Sequence, residues 1–248
     1  MGIGLGENRK KVVLLIEQKK LIFKRAKMSQ ETDHLSKMSS LLQARNEAEI
    51  TAFIKANPAV LHQKDKNGVS GLMLIAYHRL PTVMAEVPAL ANNFAFHEAI
   101  TYGLLPKVEE ALEADPSLLD QYSSDGFTPV CIAAFFSQEA IVKFLLEAGA
   151  NPNLAANNPA KVAPIHAAVA ANHIGLVELL IQYKADVNAQ QTQGVTALHS
   201  AAHRGNLPMV QLLVEAGADK STKMDSGETA LDYAKKDGHE AVEQYLSA

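Results

Sequence analysis

The sequence predicts an all-α protein built from stacked helix-turn-helix units, and two observations support this fold class. First, one phrase recurs along the chain, so that Cys131, His166, His199 and Asp232 share a column at intervals of 35, 33 and 33 residues. Internal repeats of about 33 residues indicate an array in which neighbouring units complete one another's hydrophobic core. Second, each copy carries an apolar stripe at helical spacing. The stripes are Val142, Leu145 and Leu146, then Val177, Leu180 and Ile181, then Val210, Leu213 and Val214.

The column extends towards the amino terminus, where His97 precedes Cys131 by 34 residues and Met73 precedes His97 by 24. An independent match supports this register. The segments ANPAVLHQKDKNG (56–68) and ADPSLLDQYSSDG (114–126) align without gaps at an offset of 58, which equals the sum of those two intervals. We therefore expect about seven units, of which the first is incomplete and the third, around His97, lacks the turn that precedes the others.

Each unit is expected to contain a short first helix, a second helix and a projecting turn, which we call a finger. Runs of small residues indicate first helices that approach their neighbours closely: Ala133-Ala134, Ala167-Ala168 and Ala201-Ala202. Gly149 and Gly217 stand where a second helix ends in a left-handed residue. Lys184 takes this place in the intervening unit, so that turn should be strained or differently closed. A glycine-containing turn then forms each finger, at Gly126, Gly194 and Gly227.

The two ends of the array differ from its middle. Glu243 stands where Val210 stands one repeat earlier, so an apolar stacking position has become charged, as expected of a capping unit. At the front, a first helix pair without a finger is expected from Leu41-Leu42, Ile50, Phe53 and Ile54.

Composition and motifs limit the possible classes of protein. The 248 residues are 48% hydrophobic and 20% charged, with a net charge of −4, as in an ordinary globular protein. No apolar run approaches the ~18 residues of a membrane span. Cys131 is the only cysteine, which favours a cytoplasmic location and is typical of a small buried side chain. No phosphate-binding loop or nucleophile-elbow motif occurs.

The repeated phrase resembles the ankyrin repeat, which has a period of about 33 residues and a T-P-L-H-x-A motif. The matching stretches are Thr128-Pro129-Val130, Ala163-Pro164-Ile165-His166 and Thr196-Ala197-Leu198-His199. The resemblance covers roughly residues 35–248 and is strongest from Gly126 onward. It implies an ankyrin-repeat solenoid that acts as a non-catalytic scaffold, binds a protein partner, and needs no cofactor or small-molecule substrate.

A pair of histidines raises the alternative of a metal site. His199 and His203 lie four residues apart, as in the H-E-x-x-H motif of zinc hydrolases. However, Ser200 stands in the place of the glutamate, and no third ligand follows at a recognisable spacing. The resemblance implies instead that the column histidine forms hydrogen bonds near the start of the first helix. We therefore expect His199 to be structural and the protein to bind no metal.

The resemblance also implies that the last two residues of each first helix line a concave groove and contact the partner, together with the finger tips. The expected first-helix contacts are Tyr77, His78, Tyr102, Phe135, Phe136, His203, Arg204 and Lys236. The expected finger contacts are Phe127, Lys161, Thr192, Gln193 and Val195. Phe135 and Phe136 cannot both enter one narrow core stripe, so we expect Phe136 to be exposed in an aromatic ladder with Tyr77 and Tyr102. Alternatively, one of these two rings fills the space of the missing finger near residues 92–94.

The amino-terminal segment matches no repeat, and we treat residues 1–34 as a separate basic segment. Residues 1–28 contain eight Lys or Arg against two Glu. They could form a cap on the first repeat, an amphipathic helix on an anionic membrane, a tail for RNA or DNA, or an extension ahead of a start at Met28. We favour a cap or an extension over nucleic-acid binding. A membrane or nucleic-acid adaptor anchored by residues 1–28 is the alternative to a protein-binding module.

Overall fold

The computed structural model describes residues 34–91 and 93–248. The interpretations of residues 1–28 therefore fall outside the described residues. Within the described ranges the regular elements are helices, apart from an isolated antiparallel bridge between Lys64 and Ser70. No helix of this part of the chain is both long and apolar enough to cross a bilayer. The chain divides after residue 92 into two compact units, which are described separately.

The first unit contains two helix pairs. The helices are α1 (34–44), α2 (Glu47–Ala56), α3 (Gly71–Tyr77) and α4 (Pro81–Leu90). The helix pair expected at the front is confirmed: Leu41, Leu42, Ile50 and Ile54 are buried, and Phe53 is half-buried. The Glu47 carboxylate accepts hydrogen bonds from the amides of Thr82 and Val83, at 2.8 and 3.2 Å. It thereby caps the amino terminus of α4, where amide groups have no partner within the helix.

The second unit, residues 93–248, contains five helix pairs. These are α5 (Phe96–Thr101) with α6 (Leu105–Ala114), α7 (Pro129–Phe135) with α8 (Glu139–Glu147), α9 (Pro164–Ala170) with α10 (Ile174–Gln182), α11 (Ala197–His203) with α12 (Leu207–Glu215), and α13 (Ala230–Lys236) with α14 (Glu240–Ser247). The first helices pack side by side in chain order, and so do the second helices. Each pair thus contacts mainly its neighbours, as in a solenoid.

Local sequence explains where the first helices of this unit begin. The hydroxyl groups of Thr128, Thr196 and Thr229 accept hydrogen bonds from the amides of the third helical residues, which is how an N-cap starts a helix. Pro129 and Pro164 occupy the first helical position, where a missing N–H group costs nothing. The alanine pairs that follow are almost fully buried, so the expected close approach of the first helices is confirmed.

The expected stripe is confirmed in α8, where Val142, Leu145 and Leu146 are buried, but it is shifted in α10 and α12. Leu176, Val177 and Leu180 are buried in α10, whereas Ile181 is only half-buried. In α12 the buried residues are Met209, Val210 and Leu213, whereas Val214 is half-buried. Because each residue turns about 100° around the helix axis, Ile181 and Val214 lie at the edge of the stripe. The expectation that they belong to the fully buried stripe was wrong by one residue.

The turns follow the expected pattern of left-handed residues. Gly149 and Gly217 have φ of 96° and 95° after α8 and α12. Lys184 has φ of 68° at the same place after α10. An L-residue in this conformation costs roughly 1–2 kcal/mol, so the expected strain at Lys184 is confirmed. The offset of 58 is confirmed as well, because short 3₁₀ helices occupy Pro58–His62 and Pro116–Asp120.

Two irregular places in the repeat pattern also follow the sequence. α4 ends at Leu90 and α5 begins at Phe96, so the connection is too short for a finger. In α14 Val242 and Leu246 are buried, while Glu243 is half-exposed at the position that corresponds to Val210. The outward side of α14 is therefore more polar than that of α12.

Candidate partner-binding surface

The column side chains tie each repeat of residues 93–248 to the next. Each ring or thiol reaches a backbone carbonyl oxygen in the loop that leads to the following first helix. The pairs are His97 Nε2 with Gln121 O at 2.8 Å, Cys131 Sγ with Val162 O at 3.3 Å, His166 Nε2 with Ala189 O at 2.9 Å, and His199 Nε2 with Glu228 O at 3.3 Å. These contacts hold successive repeats in register.

His199 uses both ring nitrogens in hydrogen bonds. Its Nδ1 lies 3.2 Å from the amide nitrogen and 2.8 Å from the hydroxyl of Thr196, and its Nε2 faces Glu228 O. The expected structural role of His199 is therefore confirmed. Within the described ranges, no three His, Cys, Asp or Glu side chains are grouped so as to hold a metal ion. The absence of stoichiometric zinc from the purified protein remains a prediction.

The ends of the five first helices form what we call the first-helix row. It consists of Thr101-Tyr102, Phe135-Phe136, Ala170-Ala171, His203-Arg204 and Lys236-Asp237, and in each pair the helix ends at the first residue. A left-handed residue follows each pair: Gly103, Ser137, Asn172, Gly205 and Gly238. The positions assigned from the repeat register thus fall at equivalent places in successive helices. Whether they contact a partner is a separate question.

Hydrogen bonds join the turn after α5 to that after α7, the turn after α9 to that after α11, and the turn after α11 to that after α13. They are Gln138 Nε2 to Thr101 O at 3.0 Å, Arg204 Nη1 to Ala170 O at 2.9 Å, Asn206 Nδ2 to Asn172 Oδ1 at 2.7 Å, and His239 Nε2 with His203 O at 3.0 Å. These bonds cap helix ends and fix neighbouring turns relative to each other. The row is therefore a preorganised surface within this unit.

One end of the row is aromatic. The rings of Phe135 and Phe136 meet edge to face, with centroids 5.2 Å apart, and Tyr102 packs in the same way on Phe94 at 5.6 Å. Burial raises the pKa of the Tyr102 phenol, and the Glu98 carboxylate raises it further. Tyr102 therefore stays neutral at physiological pH.

The expectation that Phe136 is exposed was wrong. Phe135 and Phe136 are both half-buried and both pack against the core. Phe135 is the last residue of α7, whereas Phe136 has already left helical geometry with ψ of 9°. The two rings can therefore cover each other at the helix end, and neither of them is fully exposed or fully enclosed.

The other end of the row is polar and charged. His203 Nδ1 lies 2.6 Å from Asp237 Oδ2, and the His203 side chain is 61% exposed. The His203 ring also meets the Tyr233 ring edge to face at 5.6 Å. Lys236 Nζ lies 5.8 Å from the centroid of the Tyr233 ring, within cation–π range. Tyr233 was missing from the expected positions, although it precedes Lys236 and Asp237 by one helical turn.

The expected finger contacts differ in exposure. Lys161, Thr192 and Gln193 are exposed, while Phe127 and Val195 are half-buried. Backbone hydrogen bonds join successive fingers: Asn157 N to Gly126 O, Thr192 N to Ala160 O, and Asp225 N to Gln193 O. The fingers of this unit thus form a second continuous edge.

Tyr77 and His78 belong to the first unit. Tyr77 is 36% exposed at the end of α3. His78 is half-buried, and its Nδ1 lies 2.8 Å from Leu74 O in the same helix. The expectation of an aromatic ladder that includes Tyr77 remains a prediction.

Stacked helix pairs, tied by a repeating column of hydrogen bonds, define a helical-repeat protein of the solenoid class. The chain belongs to the ankyrin-repeat family, because the family model "Ankyrin repeats (3 copies)" matches residues 96–191 and 165–248, which together exceed half of the chain. Ankyrin repeats in general mediate interactions between proteins.

Several curated proteins are similar to parts of the chain. A putative ankyrin repeat protein of fowlpox virus, FPV024, is 34% identical over 103 residues, covering 37% of this chain and 17% of that protein. The human DNA-binding protein RFXANK is 32% identical over 73 residues, covering 29% of this chain and 28% of that protein. The probable 26S proteasome regulatory subunit p28 of Saccharomyces cerevisiae is 32% identical over 108 residues, covering 42% and 47%. The chain thus matches less than half the length of each of these relatives.

Proposed function

We propose that this protein is a non-catalytic cytoplasmic scaffold that binds a partner protein through a groove lined by the first-helix ends and the finger tips. The observation that carries the proposal is the first-helix row, in which aromatic and charged side chains occupy equivalent places on a rigid backbone. Tyrosine, phenylalanine and arginine are enriched in protein interfaces, where a few such anchors supply most of the binding energy.

The buried polar groups support a scaffold rather than an enzyme. His166 and His199 are committed to hydrogen bonds between repeats, so neither ring is poised to exchange protons with a substrate. Burial raises the pKa of the Cys131 thiol to about 11, so Cys131 is a poor nucleophile. The relatives are consistent with this proposal, since the yeast protein is named as a regulatory subunit of a larger assembly.

The test of this proposal is partner capture with a photo-crosslinking residue at position 136 of the full chain, followed by binding assays on two alanine variants. Phe136→Ala removes a half-buried ring from the row. Phe144→Ala is the matched control, because Phe144 is also half-buried against the core but lies in a second helix. Each change should destabilise the fold by less than the ~3–5 kcal/mol of a fully buried phenylalanine.

We expect Phe136→Ala to weaken the affinity for the partner identified by cross-linking at least tenfold. Phe144→Ala should leave this affinity unchanged. Comparable melting temperatures for the two variants would assign the loss to the surface. Equal capture by both variants would show that the row is not part of the interface. A stability loss of several kcal/mol in Phe136→Ala alone would make Phe136 a core residue.

The second candidate, a membrane or nucleic-acid adaptor, is based on the eight Lys or Arg in residues 1–28. It predicts salt-sensitive binding to anionic vesicles or to oligonucleotides. That binding should disappear when residues 1–28 are deleted, while capture through position 136 should persist.

A further inference from the structure

The first-helix row changes its chemistry along its length. Its order along residues 93–248 is aromatic at Tyr102 and at Phe135-Phe136, small at Ala170-Ala171, and basic at Arg204 and Lys236. Because neighbouring first helices pack side by side in this order, the sequence of pairs is also their order in space. A segment lying along the row would therefore meet three different environments.

The basic end of the row, at Arg204 and Lys236, is opposite in charge to the unit that carries it. Residues 93–248 hold nine Lys or Arg against nineteen Asp or Glu. Three of those nine cations, Arg204, Lys235 and Lys236, are exposed on the last two first helices or the turns that end them. Two carboxylates lie on the same elements: Asp237 is engaged by His203 at 2.6 Å, and Asp232 interacts electrostatically with Lys235. The three cations still outnumber these two carboxylates, whereas acidic residues outnumber basic ones over the unit as a whole. An acidic ligand is therefore attracted to this end of the row and repelled by the rest of the unit.

Arg204 is held in place for such a contact. Its Nη1 donates to Ala170 O at 2.9 Å, which anchors the guanidinium above the end of α9. A guanidinium carries five N–H donors in a fixed fork, so this bond leaves donors for a carboxylate. Ala170 and Ala171 beside it are half-buried, so small side chains lie between the aromatic and basic ends.

A short extended ligand can span the distance between the aromatic and basic ends. Adjacent packed helices lie about 8–10 Å apart. An extended strand rises about 3.3 Å per residue. Phe136 is two first helices from Arg204 and three from Lys236, which corresponds to roughly five to nine residues of extended chain.

We infer that the partner contributes an extended acidic peptide that has a bulky apolar residue at one end and acidic residues about five to nine positions away. The apolar residue packs on Phe135 and Phe136, and the acidic residues pair with Arg204, Lys235 and Lys236. This inference rests on the proposed function and specifies its ligand. A nucleic acid is disfavoured, because three cations on an acidic unit neutralise few phosphates.

The test is selection of random 16-residue peptides, displayed on phage, against the full-length protein. Synthetic copies of the enriched peptides are then measured by fluorescence polarisation against four proteins: wild type, Phe136→Ala, Lys235→Glu/Lys236→Glu, and Lys107→Glu/Lys143→Glu. The last variant is the control, since Lys107 and Lys143 are exposed cations outside the row. A single-stranded 20-mer oligonucleotide serves as the competing probe.

We expect enriched peptides to carry the apolar and acidic residues at the stated spacing. Their affinity should fall about tenfold in Lys235→Glu/Lys236→Glu and in Phe136→Ala, and stay unchanged in the control. Peptides that depend on Phe136 but are not acidic would overturn the inference and leave the proposed function standing. Failure to enrich any peptide that depends on Phe136 would also overturn the inference, whereas the proposed function is overturned only by the capture assay described above. Oligonucleotide binding that is lost in Lys235→Glu/Lys236→Glu would assign the basic end to nucleic acid instead.

Discussion

His166 links two neighbouring repeats through one imidazole ring. Its Nδ1 accepts a hydrogen bond from the amide of Ala163 at 3.2 Å, and its Nε2 lies 2.9 Å from the carbonyl oxygen of Ala189. Because Nδ1 accepts, the proton is on Nε2, which donates to Ala189. The ring is therefore held as one neutral tautomer between the start of α9 and the loop before α11.

Replacement of His166 by alanine should lower the free energy of unfolding by about 1–3 kcal/mol, because two buried backbone groups lose their partner. His62→Ala is the control, since His62 is exposed in a 3₁₀ turn and should change stability by less than 0.5 kcal/mol, as is usual for surface substitutions. Urea unfolding followed by circular dichroism measures both changes. Equal effects of the two substitutions would show that the column histidine has no special role in stability.

The column also predicts how stability depends on pH. Burial lowers the pKa of His97, His166 and His199 from the ordinary value of 6.5. In the unfolded chain these histidines therefore become protonated near pH 6.5, whereas in the folded protein they stay neutral until a lower pH. The contribution of these histidines to the free energy of unfolding should be complete above about pH 6.5. It should decrease as the pH falls towards their pKa values in the folded protein.

Urea unfolding between pH 8 and pH 5 measures this dependence. His166→Gln should reduce the slope below pH 6.5, because one of the three groups no longer titrates. A wild-type stability that is flat or rises as the pH falls through this range would contradict the prediction.

Two glycines after first helices should respond differently to alanine. Gly205 and Gly238 both have positive φ, of 65° and 74°. A Cβ atom at Gly205 would lie 2.5 Å from His239 Nδ1, whereas at Gly238 nothing lies within 4 Å. Gly238→Ala should cost roughly the 1–2 kcal/mol of a left-handed residue.

Gly205→Ala should cost about 1 kcal/mol more, because His239 must move and lose its hydrogen bond to His203 O. Thermal melts of the two variants compare these costs. Ser137 and Asn172 occupy equivalent left-handed positions, so the conformation alone is tolerated. Equal melting temperatures would show that His239 moves without loss.

The final helix pair should protect the apolar face behind it. α13 packs on α11 and α14 packs on α12, where Met209, Val210 and Leu213 are buried. Deleting residues 226–248 should uncover part of this face, lower the melting temperature and promote self-association. Light scattering after size exclusion measures the association. Deletion of residues 247–248 alone, which are exposed, is the control. A truncated protein that stays monomeric at unchanged stability would contradict the assigned register.

Cys131 should react slowly with thiol reagents while the protein is folded. The side chain is 1% exposed, and burial raises its pKa to about 11, so little thiolate forms near neutral pH. An Ellman assay at pH 8 should show slow reaction of the native protein and rapid reaction in guanidinium chloride. Rapid reaction of the folded protein would mean that the loop before α9 opens readily.

Features that recur at a fixed interval could be predicted from the sequence by itself. The column spacing identified His97, His166 and His199 as equivalent, and each of them reaches a carbonyl oxygen in the loop before the next first helix. The left-handed turns at Gly149 and Gly217 followed from the same register. Such features are predictable because they depend on local backbone geometry and on a repeat that each unit imposes on its neighbour.

Tertiary structure alone decided how exposed the individual side chains are and which distant residues meet. Phe135 and Phe136 are both half-buried, and their rings meet edge to face at the end of α7. Ile181 and Val214 moved to the edge of their stripes because the packing partners of a helix set its rotation. His203 and Asp237 lie 34 residues apart and meet through side-chain rotamers that no periodicity encodes. Sequence spacing defines the face of a helix, whereas the neighbouring side chains decide how much of that face stays open to a partner.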